Sequence, residues 1–416
     1  MEKTPTGVRD FSVEESMERE QMISSLKSVF RRYGFYPLET GTMEFFSTLT
    51  KKSGEAIKEN IFRIADEEAA LRFDLTVPLA RYVSSNLSLF KPFKRYCIDR
   101  VWRNEEPQKG RYREFLQADC DIIGVKEQSA EVELLNLALD SLRALGFDTS
   151  EAIFFLNNRK ILEGMADKWS VDSERAFRAI DKYDKVGKEG VFEELKSFGK
   201  EKAEEIISDV FVEEEDNGKM LKYLSKFSKE GAEELECIVS RFPNAKIQPY
   251  LVRGLGYYTG PIYELKLSDE IGTVCAGGRY DSLLGLYGQK DCAVGISFGF
   301  ERLFYLLRKE SSLDKKTYSS VYIAWVKDME KEALSIATSL RREAINTDIN
   351  YSKRSLGSQI DYANKIGIPL VVIVGPKEFA QGKAVLREMD SGKETVLEIG
   401  KIAGAVVERA KAVSKK

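Results

Sequence analysis

Arg100-Val-Trp-Arg-Asn-Glu-Glu-Pro-Gln-Lys-Gly-Arg-Tyr-Arg-Glu-Phe-Leu-Gln-Ala-Asp-Cys-Asp121 is the densest run of chemistry-bearing side chains in the sequence, and its reading decides the fold. Two extended halves flank Pro107 to Gly110, a turn signal, so the run predicts an antiparallel hairpin. Folding back brings Arg103, Glu105, Arg111, Arg113 and Phe115 into one small volume. Guanidinium forks match phosphate oxygens, a carboxylate accepts from an exocyclic amine, and an aromatic face stacks on a base. A charged, exposed hairpin would carry the same pattern, and the residues alone leave both readings open.

Working outward, Met22, Ile23, Leu26, Val29 and Phe30 recur at helical spacing between Glu14 and Tyr33, and Gly34 stops them; Phe35 to Leu38 is extended. Ile61 to Ile64, Leu71 to Leu75, Arg95 to Arg103 and Glu114 to Ile123 read as strands of a largely antiparallel sheet, with a helix over Pro78 to Ser85 opened by its proline. An amphipathic helix follows from Glu127 to Leu145. Residues 158–242 change texture: Lys- and Glu-rich, without proline, with helical spacing at Phe192, Leu195, Phe198, Ile206, Ile207 and Val210, they predict a helical insertion. Strand texture returns at Gln248 to Val252, Pro261 to Leu267 and Thr273 to Cys275, before a helix at Phe300 to Leu307. Ser311 to Ser320 is a polar separator. Beyond it Ser320 to Trp325, Lys331 to Ala344, Thr347 to Tyr351, Ser358 to Ile366, Pro369 to Val374 and Lys383 to Arg387 alternate strand and helix, the pattern of a small α/β domain. The division expected is therefore 1–157 with 243–312, an insertion at 158–242, and a C-terminal domain at 319–416.

Composition agrees with a folded chain of two or three domains: 416 residues, 43% apolar, 31% charged and only 10 Pro. The longest apolar run, around Ile368 to Val374, is far short of the roughly 18 residues a membrane span needs, and MEKTPTGVRDF has no apolar signal core, so the expectation is a cytoplasmic protein with no membrane partner. Five scattered cysteines without a C-x-x-C pair argue against a disulfide framework or a four-cysteine zinc site. The chain has no histidine at all, which removes Ser-His and Cys-His nucleophilic catalysis, H-E-x-x-H zinc hydrolysis and His proton shuttling. Phosphoryl and nucleotidyl transfer remain natural, because they rest on positioning and charge stabilisation. Net charge is −3, but residues 319–416 hold 16 Lys and Arg against 12 Asp and Glu, a basic unit that permits RNA binding on a body of −7. No P-loop is present. Arg253-Gly-Leu-Gly-Tyr-Tyr-Thr-Gly260 fails the dinucleotide fingerprint, with three residues between its later glycines and a strand after it, so a Rossmann site is rejected.

Trp102-Arg-Asn-Glu, a loop, then Arg111-Tyr-Arg-Glu-Phe resembles motif 2 of the class II aminoacyl-tRNA synthetases. Leu71-Arg-Phe-Asp-Leu-Thr-Val-Pro-Leu-Ala-Arg-Tyr, Leu251-Val-Arg-Gly-Leu-Gly-Tyr-Tyr-Thr-Gly, Cys275-Ala-Gly-Gly-Arg-Tyr-Asp and Gly295-Ile-Ser-Phe-Gly-Phe-Glu-Arg-Leu narrow the resemblance to the histidyl-tRNA synthetases, from Gly7 to the C-terminal domain. The resemblance implies an α+β fold: an antiparallel catalytic sheet with helices, a helical insertion and an α/β anticodon-binding domain. It implies that ATP and L-histidine give histidyl-adenylate and pyrophosphate, that the histidyl group passes to tRNA(His), and that the enzyme is a homodimer using Mg2+ whose ligands the sequence does not name.

Residue by residue, it implies Arg103 on the α-phosphate and the substrate carboxylate, Glu105 on the adenine amine, Phe115 on the adenine face, Arg111 and Arg113 on the outer phosphates, and Arg302 as a further nucleotide arginine. Arg253 would face Arg103 where charge develops. Asp74 and Thr76 would take the α-ammonium and Gln117 the polar backbone groups of histidine. Asp121 and Tyr258 would take the two imidazole nitrogens, and Tyr257 and Leu75 would line the pocket. The glycine pairs Gly277-Gly278 and Gly295, Gly299 would allow a nucleotide close to the backbone or simply make tight packing turns, and Glu301 with neighbouring carboxylates could hold Mg2+ through phosphates. Two positions depart from the pattern: Gly41 stands where motif 1 has a proline, and Gly256 where the histidyl segment has an aspartate. A regulatory paralogue would lack residues 319–416 and the motif arginines. A tRNA-binding sensor without activity has only Gly256 in its support.

Overall fold

The computed structural model describes residues 3–51, 58–108, 110–254, 256–268, 270–310 and 317–413. Lys109, Leu255 and residues 311–316 of the expected separator lie outside them. The chain forms two compact units, Met1–Asp10 with Arg19–Ser312, and Phe11–Glu18 with Leu313–Lys416.

Among the described residues the first unit has ten strands: β1 (Tyr36–Pro37), β2 (Met43–Phe45), β3 (Ala69–Leu71), β4 (Phe93–Trp102), β5 (Glu114–Ile123), β6 (Phe154–Asn158), β7 (Ala245–Ile247), β8 (Pro261–Lys266), β9 (Thr273–Arg279) and β10 (Ala293–Gly299). Eight make one sheet in the order β1-β4-β5-β10-β9-β8-β6-β7, antiparallel from β4 to β6 and parallel at both edges; β2 and β3 pair separately. The expected strand at Ile61 to Ile64 is only a bridge of Arg63 to Ala70, and Leu71 to Leu75 leaves its strand after Leu71. The helix placed at Pro78 starts earlier, at Thr76, because Asp74 Oδ1 accepts from Val77 N at 2.9 Å and supplies the cap. Gln248 to Val252 is a turn after β7: Pro249 cannot donate to a ladder, and the buried Asn157 amide donates to the carbonyls of Pro249 and Leu251.

Alternation along β5 decides which face is wet. Ala118, Cys120 and Ile122 are buried among apolar groups, and their register partners Tyr96 and Phe298 pack on Phe30 of the helix Val13–Arg32 at 5.6 and 5.7 Å between ring centroids. Gln117, Asp119 and Asp121 therefore share the opposite face. The helical texture after β6 becomes six helices between Arg159 and Val239, closed around Trp169, whose indole donates to Asp209.

In the second unit β11 (Val321–Trp325), β12 (Thr347–Ile349), β13 (Leu370–Val374), β14 (Lys383–Glu388) and β15 (Glu394–Glu398) form a mixed sheet ordered β12-β11-β13-β14-β15. Every residue of β11 and β13 is buried, which is why both read as unbroken apolar runs. The sequence reading missed β15, whose outer residues are exposed, and the helix Ile402–Val413.

Candidate active site

The wet face of the large sheet floors a cavity of about 340 Å³, within the size range of small-molecule sites. Register sets its rows: Asp121 lies opposite Gly295 and then Gly278, Asp119 opposite Ser297 and then Ala276, Gln117 opposite Gly299. Close approach explains two of the glycines. A Cβ on Gly295 would sit 2.1 Å from Asp121 Oδ1, and one on Gly278 would sit 2.8 Å from the Tyr258 ring. Both glycines thus make room for protein side chains that shape the cavity floor.

Asp74, Thr76, Arg103, Glu105, Arg111, Phe115, Gln117, Asp121, Arg253, Tyr257, Tyr258 and Arg302 all line this cavity. Arg103 is held by the carbonyl of Phe73 at 3.2 Å and stacks over the rings of Phe73 and Phe115, with centroids at 4.4 and 5.1 Å. Gln117 donates to Ser297 Oγ at 2.8 Å. Arg253 reaches Glu264 Oε2 at 3.3 Å, and its Nε has no hydrogen-bond partner. Arg302 donates to the carbonyl of Thr273. The loop between the halves of the hairpin is closed by mutual backbone bonds of Gln108 and Arg111, with Gly110 at φ 69°, so Arg111 is presented at the mouth.

Two of the singled-out residues lie outside the lining. Leu75 is buried beneath the cavity with Cys97, Val101 and Phe115. Arg113 turns away: its Nε donates to the Glu105 carbonyl at 3.0 Å, its amide to Gly7 O, and its stem lies against Gly7, where a Cβ would clash at 2.7 Å. Glu301, considered for Mg2+, lines the cavity but gives both oxygens to Arg19 at 2.5 and 2.8 Å, and one also accepts from Leu116 N. Asp121 likewise is committed. Its Oδ1 accepts from Tyr280 at 2.5 Å and its Oδ2 ion-pairs with Arg95 Nε at 3.1 Å. Arg279 forms a two-pronged bond with Glu131 and so anchors the helix Ser129–Ala144.

The electrostatics divide the cavity. Burial, then repulsion from Arg111, Arg253 and Arg103, pulls the Arg302 guanidinium down to about 10. Such crowding of cations is relieved by a polyanion. Burial also works against the charge of Arg253, but Tyr258, Glu264 and Asp181 outweigh it and hold it firmly protonated. Burial raises the carboxyls of Asp74, Asp121 and Asp119, the last to about 7, and Arg103 offsets part of the effect on Asp74.

Asp119, Tyr112, Ser297 and Tyr280 line the cavity and were not singled out as site residues. For Asp119 the signal was present: Gln117, Asp119 and Asp121 alternate with buried apolar residues on one strand, which puts three polar groups on one face. Gly256, at the other departure, has nothing within 4 Å of a built Cβ, so its missing carboxylate leaves open space.

The family model described as Histidyl-tRNA synthetase matches residues 7–303, and that described as Anticodon binding domain matches residues 320–409. The histidine–tRNA ligase of Aeropyrum pernix is 38% identical over 425 residues, covering 97% of each chain, and that of Cytophaga hutchinsonii is 35% identical, covering 94% of this chain and 96% of that one. The crystal structure of histidyl-tRNA synthetase from Nostoc sp. PCC 7120 superposes with a TM-score of 0.83 at 30% identity, covering 98% of this chain and 99% of that chain. With the strand order, the arginine-lined cavity and matches of this extent in hand, the chain belongs to the histidyl-tRNA synthetase family.

Proposed function

We propose that the chain is a histidine–tRNA ligase that works through the residues of this one cavity. The observation that carries the reading is the meeting of four arginines, Arg103, Arg111, Arg253 and Arg302, with a set of buried uncharged and anionic groups at the opposite end. ATP enters at the arginine end, with adenine on Phe115 and its amine at Glu105. Arg111 and Arg302 take the outer phosphates, and Arg113 acts on them only by fixing the loop. Histidine enters at the other end, its ammonium at Asp74 and Thr76 and its backbone polar groups at Gln117. Its carboxylate oxygen attacks the α-phosphorus, the bond to the β-phosphate oxygen breaks, and pyrophosphate leaves. Arg103 and Arg253 stabilise the charge that grows on the α-phosphate, and no protein base is needed because the nucleophile is already ionised. The terminal ribose hydroxyl of tRNA(His) then attacks the adenylate carbonyl and AMP departs.

Among the described residues no group of three carboxylate or cysteine donors could cage a metal ion. Mg2+ would ride chiefly on the ATP phosphates, with Glu105 or Glu301 of the lining as the carboxylates available to it. Exposed Tyr36, Met43, Phe45, Leu87 and Phe90 support a homodimer formed through the segment before β4. In the second unit the exposed Tyr351, beside Lys353 and Arg354, supplies a stacking ring with cations for the anticodon. Free cysteines, and no helix among the described residues that could cross a membrane, fit a cytoplasmic enzyme.

The test is histidine-dependent exchange of labelled pyrophosphate into ATP, with the other amino acids in parallel. Exchange with histidine alone, lowered about 100- to 1,000-fold by Arg253→Ala, is expected. No exchange with any amino acid would refute the reading.

A further inference from the structure

We infer that Gln359 is a positioning residue for tRNA binding: its side-chain amide takes the place of a missing strand residue and fixes the exposed loop that carries Tyr351. The inference rests on the proposed reading of that ring as an anticodon contact, and it names what holds the ring in place.

β12 ends early. It pairs with β11 only from Thr347 against Val321 to Ile349 against Ile323, whereas β11 runs on to Trp325. Asn350 still donates to the Ile323 carbonyl at 3.0 Å, and then the chain leaves the sheet. Val326 donates to the Val374 carbonyl on β13, so the alternating N–H and C=O groups of Trp325 point to the opposite side, the one β12 has vacated. Left there without partners, buried backbone groups would weigh against the fold.

Gln359 fills the gap. Its Oε1 accepts from Trp325 N at 3.0 Å and its Nε2 donates to Trp325 O at 2.8 Å, the two bonds a strand residue would make. The same Nε2 gives its second hydrogen to the Arg354 carbonyl at 2.9 Å, at the far end of the loop. The near end is held by Trp325 in turn, whose indole N–H donates to the Asn350 carbonyl at 2.9 Å. Residues 351–354 are thus bracketed by two side chains that are 0% and 3% exposed. Inside the bracket the Asn350 amide donates to the Ser352 carbonyl, and Arg354 N donates to the same oxygen at 2.8 Å.

The bracket holds out Tyr351, 72% exposed, together with exposed Ser352, Lys353 and Arg354. A surface ion pair does not explain the loop's shape. Lys353 meets Asp328 at 3.2 Å, but the two side chains are 81% and 91% exposed, and such a pair is worth little. Had β12 run two residues further, the ladder would satisfy Trp325 without any glutamine, and Tyr351 would lie in the sheet. A fully buried amide on the helix Leu356–Lys365 is what lets the chain leave the sheet and still present a fixed surface. A ring held in place in advance loses less freedom when a base stacks on it.

The experiment measures KM for a tRNA(His) transcript in aminoacylation by the full chain, with pyrophosphate exchange alongside, for wild type, Gln359→Met, Tyr351→Ala and the double variant. Met keeps the length of the side chain and makes none of the three bonds. Gln359→Met should raise KM for tRNA(His) about 5- to 50-fold, toward the loss that Tyr351→Ala gives, and leave kcat and exchange within about twofold. In the double variant the losses should not multiply, because a displaced loop has no seated ring to lose, and KM should lie within about twofold of Tyr351→Ala. General damage to the unit would multiply with the loss of the ring. Trp325→Phe, which cuts only the bond at the near end, should raise KM about 2- to 10-fold, the worth of one hydrogen bond. An unchanged KM in Gln359→Met, losses that multiply, or an equal fall in exchange overturns the inference. If Gln359→Met does not fold, Trp325→Phe decides alone, and an unchanged KM there overturns it. Tyr351→Ala without effect on KM removes the anticodon reading and the inference with it, a result distinguishable from losses that multiply.

Discussion

Replacing Asp119 by Asn should flatten the pH dependence of the ligand-free protein's stability, the reverse of what removing a buried polar contact usually does. Burial, reinforced by Asp121 and Asp74 and opposed by Arg95 and Ser297, moves this carboxyl from 3.8 to about 7. A group whose folded pKa is raised contributes its full stability below the unfolded value and loses it as pH rises through the folded one. The window therefore runs from about pH 4 to about pH 7, and each unit within it costs about 1.4 kcal/mol. By about pH 8 the ionised Asp119 costs the fold on the order of 4 kcal/mol, of which roughly 3 kcal/mol is lost after pH 5. Asn does not ionise, so the variant lacks this slope. Urea unfolding at about pH 5 and about pH 8, followed by fluorescence of Trp102 and Trp169 in the same unit, should show the variant gaining roughly 3 kcal/mol on wild type between the two. Asp74 and Asp121 are present in both proteins and couple to Asp119, so the difference between the two profiles reads Asp119 together with that coupling. Parallel profiles for wild type and variant would refute the reasoning, because they would mean that Asp119 is charged at little cost in the fold.

Arg302→Ala should raise KM for ATP by about 10- to 100-fold, the worth of a charge-assisted phosphate contact, and leave KM for histidine within a few-fold; equal effects on both would place Arg302 outside the nucleotide end. Gly295→Ala puts a methyl group 2.1 Å from Asp121 Oδ1, so a loss of about 1–3 kcal/mol in unfolding free energy is expected; a variant as stable as wild type would show that the floor is not packed as described. In the second unit, Tyr351→Ala should cut aminoacylation of tRNA(His) by about 5- to 100-fold, the worth of one stacked base, while pyrophosphate exchange stays intact. A fall in exchange of the same size would count against an RNA role for that exposed ring.

How far the sequence could be read depends on how local the determinants were. The hairpin around Pro107 to Gly110 was legible because a turn signal and two extended halves need nothing from elsewhere in the chain. The helical insertion and the runs Val321–Trp325 and Leu370–Val374 were legible because hydrophobic period and continuous burial are written into composition. The helix at Thr76 was misplaced by two residues because its cap is a side chain, Asp74, that also belongs to the cavity. Gln248 to Val252 looked like a strand, yet Pro249 and the reach of Asn157 from β6 turn it, a contact across about 90 residues that no window sees. β15 was missed because its alternation is mostly exposed and gives no apolar stripe.

The site shows the same division. Arg103, Arg111 and Arg113 were singled out by type and spacing on one hairpin, whereas Arg253 and Arg302 stood out only through the family resemblance, because the fold and not the sequence brings them beside the hairpin. The roles of the carboxylates were not readable, because an aspartate's availability depends on which partner reaches it first. Glu301 and Asp121 were singled out and both line the cavity, and the fold also pairs them with Arg19, and with Arg95 and Tyr280.

Arg95 shows why such groups are worth burying at all. A buried ion pair is weak evidence for stability, since desolvation of both partners offsets most of their attraction. What Arg95 does is geometric: from β4 it holds Asp121 on β5 and the Leu75 carbonyl on the turn that carries Asp74 and Thr76. One guanidinium thus ties β5, with Asp119 and Asp121, to the turn that carries Asp74 and Thr76, and a shift in either is opposed by both. The proposed reaction needs that rigidity, because in it the carboxylate of the substrate has to meet the α-phosphate between Arg103 and Arg253 within a fraction of an ångström. Arg95 also moderates the charge of Asp119 through space without closing a bond to its Oδ1, so one guanidinium balances two carboxylates on the same face of β5.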